Sequence, residues 1–195
     1  VINLSVSIAG QQEISGYDTK ELKNTESVVI KVVSDAGFAN KILFYSGPFS
    51  NSGPIPPKVE ETTTYTVAWS LSNSANDIVK AVVQSSLPSW VDFIGLVSPL
   101  SEDLTYNDTT REITWNVGNL NKGVGITSKS GEVFFRISFS PSLSQRRTVP
   151  VLINEAILTG MDVFANVGIR VIRGGLNTNL VNDPSFPSNG GTVVE

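Results

Sequence analysis

The chain has no cysteine and no histidine in its 195 residues, and a single methionine. Without cysteine it can form neither a disulfide nor a thiolate metal site. Without histidine it lacks the commonest general base and the commonest metal ligand, which excludes mechanisms of the Ser-His-Asp or Cys-His kind. Charge is also scarce. Asp, Glu, Lys and Arg together make up 16% of the residues, against about 25% in ordinary soluble domains. The net charge is −4, and Arg146-Arg147 is the only adjacent basic pair, so no nucleic-acid partner is expected. No apolar run approaches the roughly 20 residues of a membrane-spanning helix. The chain begins at Val1 and shows no signal-peptide pattern, which reads as a piece of a longer protein.

Hydrophobic residues account for 40% of the chain, enough for a substantial core. Ser, Thr and Asn stand where charges would otherwise be. Thr is β-branched, while Ser and Asn compete with helical hydrogen bonds, so the trade favours strands and turns. Tyr65, Val67, Trp69 and Leu71 alternate with Thr64, Thr66, Ala68, Ser70 and Ser72. That is a period of two over nine residues, the pattern of a half-buried strand. Ile113, Trp115 and Val117 alternate in the same way, and so do Val133, Phe135, Ile137 and Phe139. Further strands are expected over residues 78–85, 89–94, 149–153, 156–162 and 167–172. Residues 98–110 and 118–131 read as polar or glycine-rich loops. Short strands at this spacing, with turn signals between them, predict an all-β, immunoglobulin-like antiparallel β-sandwich with additional N-terminal strands.

Three segments are expected. Residues 50–175 form the sandwich. Residues 176–195 hold Pro184, Pro187, Gly190 and Gly191 and read as a linker or tail. Residues 1–49 hold strand patterns at Leu4, Val6 and Ile8 and at Val28, Ile30 and Val32, with Lys41 to Tyr45 a further strand candidate, and two or three strands cannot bury a core alone. They read as the end of a preceding repeat or as an assembly or donor segment. A faint internal echo between residues 27–48 and 148–160 suggests that residues 25–47 are the closing hairpin of a preceding similar unit.

The run from Ser46-Gly47-Pro48 through Pro56-Pro57-Lys58 to Thr66-Val67 resembles the opening of a conserved-repeat, immunoglobulin-like module of bacterial and archaeal cell-surface proteins. Leu87-Pro88, Ile113-Thr114-Trp115-Asn116-Val117-Gly118, Phe135-Arg136-Ile137, Pro141-Ser142 and Leu158-Thr159-Gly160 are similar to the same pattern. The likeness is nearest to repeats of candidate-phylum bacteria, where a sequence like Val181-Asn182-Asp183-Pro184 closes the module. The resemblance covers residues 46–187. It implies an extracellular, structural or adhesive role and carries over no catalytic residue.

Candidate site residues are few. Glu102, Asp103, Asn107 and Asp108 form an acidic stretch that could offer oxygen ligands to calcium, although the spacing is not that of an EF-hand and a solvated loop is the simpler reading. No other cofactor is expected. Among the indoles, Trp69 and Trp115 are in phase with apolar faces and belong in a core. Trp90, near a turn, is the candidate for a surface ligand such as a glycan, against a competing core reading. The carboxylate pairs Glu60-Glu61 and Glu102-Asp103 lie on a linker edge and a loop. Neither looks desolvated, as an acid role would require. Lys58 and Asn166 are placed where an isopeptide cross-link could join the first and last strands, with no motif behind them. The sequence therefore points to a non-catalytic structural module of an extracellular surface protein, a repeat spacer or a filament or surface-layer unit. Its expected partners are neighbouring repeats or identical subunits through β-strand pairing. An adhesin-type binding domain and an accessory domain of a secreted enzyme are the alternatives.

Overall fold

The computed structural model describes residues 1–16 and 18–195. Two units emerge, Val1–Val33 and Ser34–Glu195. The only helical element among the described residues is a 3-10 turn at Leu143–Gln145.

The first unit is one long antiparallel hairpin, β1 (Ile2–Ser15) against β2 (Asp18–Ile30). Its register places Ile2 opposite Ile30 and Leu4 opposite Val28, on the face that also carries Val6 and Ile8. The other face is polar in its middle. There Ser7 and Thr25 are hydrogen-bonded at 2.8 Å, and Ser27 donates to Ser5 at 3.2 Å. Alternation of residue type along two paired strands has thus produced an amphipathic ribbon.

The second unit is the sandwich. One sheet has the order β3 (Ala36–Leu43), β4 (Thr63–Asn73), β9 (Gly131–Phe139), β6 (Val91–Ser98). The other runs β12 (Val167–Arg173), β11 (Ala156–Asp162), β5 (Ile78–Ser86), β8 (Glu112–Leu120), β7 (Asp103–Asn107). All ladders in both sheets are antiparallel. With the β7–β8 hairpin set aside, the strands fall in the order first-second-fifth-fourth and seventh-sixth-third. That is the strand order of an immunoglobulin constant-type sandwich. The extra hairpin joins the edge beside β5, and β5 bulges at Lys80 (φ 53°), where its ladder to β8 slips.

The alternating residues read from the sequence are the core. Tyr65, Val67, Trp69 and Leu71 of β4 meet Val133, Phe135, Ile137 and Phe139 of β9 on the inner face, all 0–1% exposed. Trp69 packs edge-on against Phe135 with ring centroids 5.0 Å apart; such pairs add about 0.5–1.5 kcal/mol beyond area burial. Its indole N–H donates to Asn40 Oδ1 at 3.0 Å, which gives the inward-facing Asn40 of β3 a partner for its oxygen.

The structure redraws the expected boundaries. Residues 34–49 belong to the sandwich, because β3 pairs along its whole length with β4. Residues 27–30 pair with β1 instead, so residues 25–47 do not form a hairpin with each other. Residues 176–195 are not a free linker. Leu176–Asn177 (β13) pairs with β10 (Val151–Ile153), and Leu180 and Val193 are buried in the core. Val193 exchanges backbone hydrogen bonds with Arg147 and Thr148, and Val194 does so with Pro57 and Val59, so the segment is woven between two parts of the chain. The proline-rich stretch after β3 crosses the outer face of its sheet. There Asn51 reaches Leu43, Phe44 and Thr66, while Ser52 meets Thr64. That cover explains why Thr66, on the polar side of β4, is 0% exposed.

Candidate functional site

The densest polar constellations are two buried aspartates at the two ends of β3. Asp162, at the end of β11, is fully buried. Its Oδ2 accepts the backbone N–H of Ser34 at 2.8 Å and the side-chain amide of Asn76 at 2.9 Å. Its Oδ1 accepts the N–H groups of Phe164 and Ala165, each at 2.9 Å. Burial works against the charge, and it is outweighed by these hydrogen bonds from Ala165, Asn76, Ser34 and Phe164. The carboxyl is held below its ordinary value of 3.8. Ser34 continues the network. Its hydroxyl donates to Asn73 Oδ1 and accepts from the N–H groups of Ala75 and Asn76 at 3.0 and 3.1 Å. Asn73 in turn donates to the carbonyls of Asn76 and Leu120. A carboxylate has about four acceptor positions; on Asp162 four donors of the chain fill them, so none is left for a substrate.

At the other end of β3, Asp183 is 4% exposed. Oδ2 accepts the N–H of Phe44 at 2.6 Å and of Tyr45 at 2.7 Å, and Oδ1 accepts the Ser46 hydroxyl at 3.1 Å. Asn182-Asp183 reads in the sequence as an ordinary turn pair, and no local signal marks the partner 137–139 positions away. Asp162 was equally hidden, as a polar residue ending an apolar strand.

The acidic stretch is spread along a strand, β7, where its polar, turn-rich composition predicts a loop. Glu102 and Asp103 stand at the start of β7 and Asn107 and Asp108 at its end, about 13 Å apart at the rise of an extended strand. Their side chains are also engaged. Glu102 Oε2 accepts the Trp115 indole N–H at 2.8 Å, Asp103 accepts from Asn116 at 3.0 Å, and Asn107 Oδ1 accepts the N–H groups of Thr109 and Thr110. The four do not converge, and no group of three or more acidic side chains among the described residues could hold a metal ion.

Trp90 is 43% exposed, and its indole N–H is committed to the Val151 carbonyl at 2.8 Å. The structure puts this ring at the surface, while Trp69 and Trp115 are fully buried as expected. Lys58 is solvent-facing and ion-paired with Glu61 at 2.9 Å, and Asn166 sits in the turn after β11. An exposed ammonium in an ion pair is not the desolvated amine that amide formation requires. Glu61 is spent in the same pair, and Glu102 on Trp115.

No protein-family profile matches the chain, and no curated protein does. Among solved structures, the full-length major pilin SpaD from Corynebacterium diphtheriae is similar at 14% identity and a TM-score of 0.45, over 74% of this chain and 35% of that one. BcpA, the major pilin subunit of Bacillus cereus, is similar at 10% identity and a TM-score of 0.40, over 91% of this chain and 47% of that one. The chain thus spans less than half the length of either pilin.

Proposed function

We propose that the chain is a non-catalytic structural module of an extracellular surface protein, acting as a spacer under tension or as an assembly unit of a surface filament. One observation carries this reading: the first sandwich strand, β3, is held at both ends by buried carboxylates from the C-terminal part of the chain. In a module pulled through its ends, the first and last segments meet the load before the core does. Here the first strand is clamped at Ser34 and at Phe44 to Ser46, and the last residues are hydrogen-bonded to two neighbouring backbones. Hydrogen bonds to a carboxylate are about twice as strong as neutral ones, and breaking a shielded set costs more than fraying an open edge. The resemblance of residues 46–187 to repeats of surface proteins agrees with this role. The adhesin reading rests on Trp90, whose one polar group is already used, and on the acidic stretch, whose residues are divided between the two ends of β7.

Single-molecule pulling on the full chain tests the reading. The sandwich is expected to unfold in one step, at a force that drops when Asp162 and Asp183 are both replaced by alanine. Equal unfolding forces for the two chains, with folding intact, would remove the clamp as the basis of the function.

A further inference from the structure

We infer that the β1–β2 hairpin is a self-association element, and that its apolar face packs on the same face of a second copy. The inference rests on the assembly-unit reading and names the surface that would carry it. One face of the ribbon presents Leu4, Val6, Ile8 and Val28, together with the Ile2–Ile30 pair; each of these is 43–70% exposed. With Leu22, these side chains expose on the order of 600 Å², the upper end of the range for the largest apolar patch on a typical monomer. A two-stranded ribbon is marginal by itself in water and needs a second layer against such a face. Two faces in contact would bury about 1,200 Å², above the roughly 1,000 Å² that a specific interface needs.

Length and charge together select a second copy as the occupant. β1 and β2 have 14 and 13 residues, while no strand of the sandwich exceeds 11. Among the described strands, only this hairpin matches itself from end to end. Glu26, opposite Val6, is the charge in the middle of the apolar face. A two-fold axis along the strands lays β1 of one copy over β2 of the other. Glu26 then lies over Val6 of the partner subunit rather than over a second Glu26, and from a strand that is also an edge its carboxylate reaches water. The product is a four-stranded, two-layer sandwich between subunits, with an isologous interface.

The absence of native cysteine makes the test direct. The full chain is prepared as Val6→Cys, on the apolar face, and as Ser7→Cys, on the polar face, and each is treated with a short bis-maleimide. Light scattering over a concentration series reads the mass of the unmodified chain and of Leu4→Asp. Near-ultraviolet circular dichroism, which reports the buried Trp69 and Trp115, checks that the sandwich stays folded. The expected result is a dimer that falls apart on dilution, at least a tenfold lower association constant for Leu4→Asp, and covalent dimer from Val6→Cys well above that from Ser7→Cys. A chain that is monomeric at every concentration overturns the inference, as does equal cross-linking from the two positions. Because the clamp is tested by force and this interface by mass, either can fail without the other.

Discussion

Asp183 Oδ2 accepts the backbone N–H of Phe44 at 2.6 Å across 139 positions of sequence. The contact closes the C-terminal segment onto the end of the first sandwich strand, and the stability of the module should depend on it. Asp183→Ala leaves the N–H groups of Phe44 and Tyr45 without their acceptor. It is expected to cost about 3 kcal/mol, the scale for losing buried hydrogen bonds to a charged group. Thermal denaturation would show this as a fall of roughly 6–12 °C.

Asp162 gives a pH signature. Its folded carboxyl is held below the ordinary 3.8, so its charge contributes stability that is complete above that value. The contribution is lost as pH falls through the lower folded value. Urea midpoints of the wild type and of Asp162→Asn are therefore expected to differ at pH 6 and to converge as pH drops below 3.8. A gap that stays constant down to the acid limit would mean that the charge plays no part.

The C-terminal segment should behave as core. Leu180 and Val193 are 3% and 1% exposed. Leu180→Ala is expected to destabilise by about 2–5 kcal/mol and Val193→Ala by somewhat less. In a free linker both changes would be silent in a denaturant titration.

Calcium should leave the melting temperature unchanged. Glu102 and Asp103 are separated from Asn107 and Asp108 by the length of β7, so no single ion can collect them. Differential scanning fluorimetry with and without about 1 mM calcium checks this, since a site near the weak extracellular range of affinities would then be partly filled and would raise the midpoint.

Gly53 is irreplaceable on steric grounds. Its φ is +106°, and an added Cβ would lie 2.4 Å from the Thr62 carbonyl oxygen and 2.6 Å from the Thr63 Cα. Gly53→Ala should displace the crossing segment from β4 and lower stability by at least about 1 kcal/mol. Hydrogen exchange at Thr64, whose N–H bonds to the Ser52 carbonyl at 2.8 Å, would report the loosening directly.

What the sequence determined alone was the all-β class and the inner faces of the strands, because side chains alternate on an extended chain whatever it pairs with. Tyr65 through Leu71 and Val133 through Phe139 could therefore be assigned to the core from residue type. The lack of histidine and cysteine excluded whole classes of chemistry for the same reason: composition does not depend on the fold. Only the tertiary structure decided where the sandwich begins and ends. β3 and the segment around Val193 join it through backbone hydrogen bonds to distant residues, and which strand or loop a segment pairs with is not written in its own residue types. β7 carries no legible strand signal because only Leu104 and Tyr106 are half-buried in a five-residue edge strand, too short a run for alternation to stand out. The aspartates that clamp β3 were the least legible. An aspartate before a proline or at a strand end looks the same whether it faces water or three backbone amides, and the difference lies in what the folded chain brings to it.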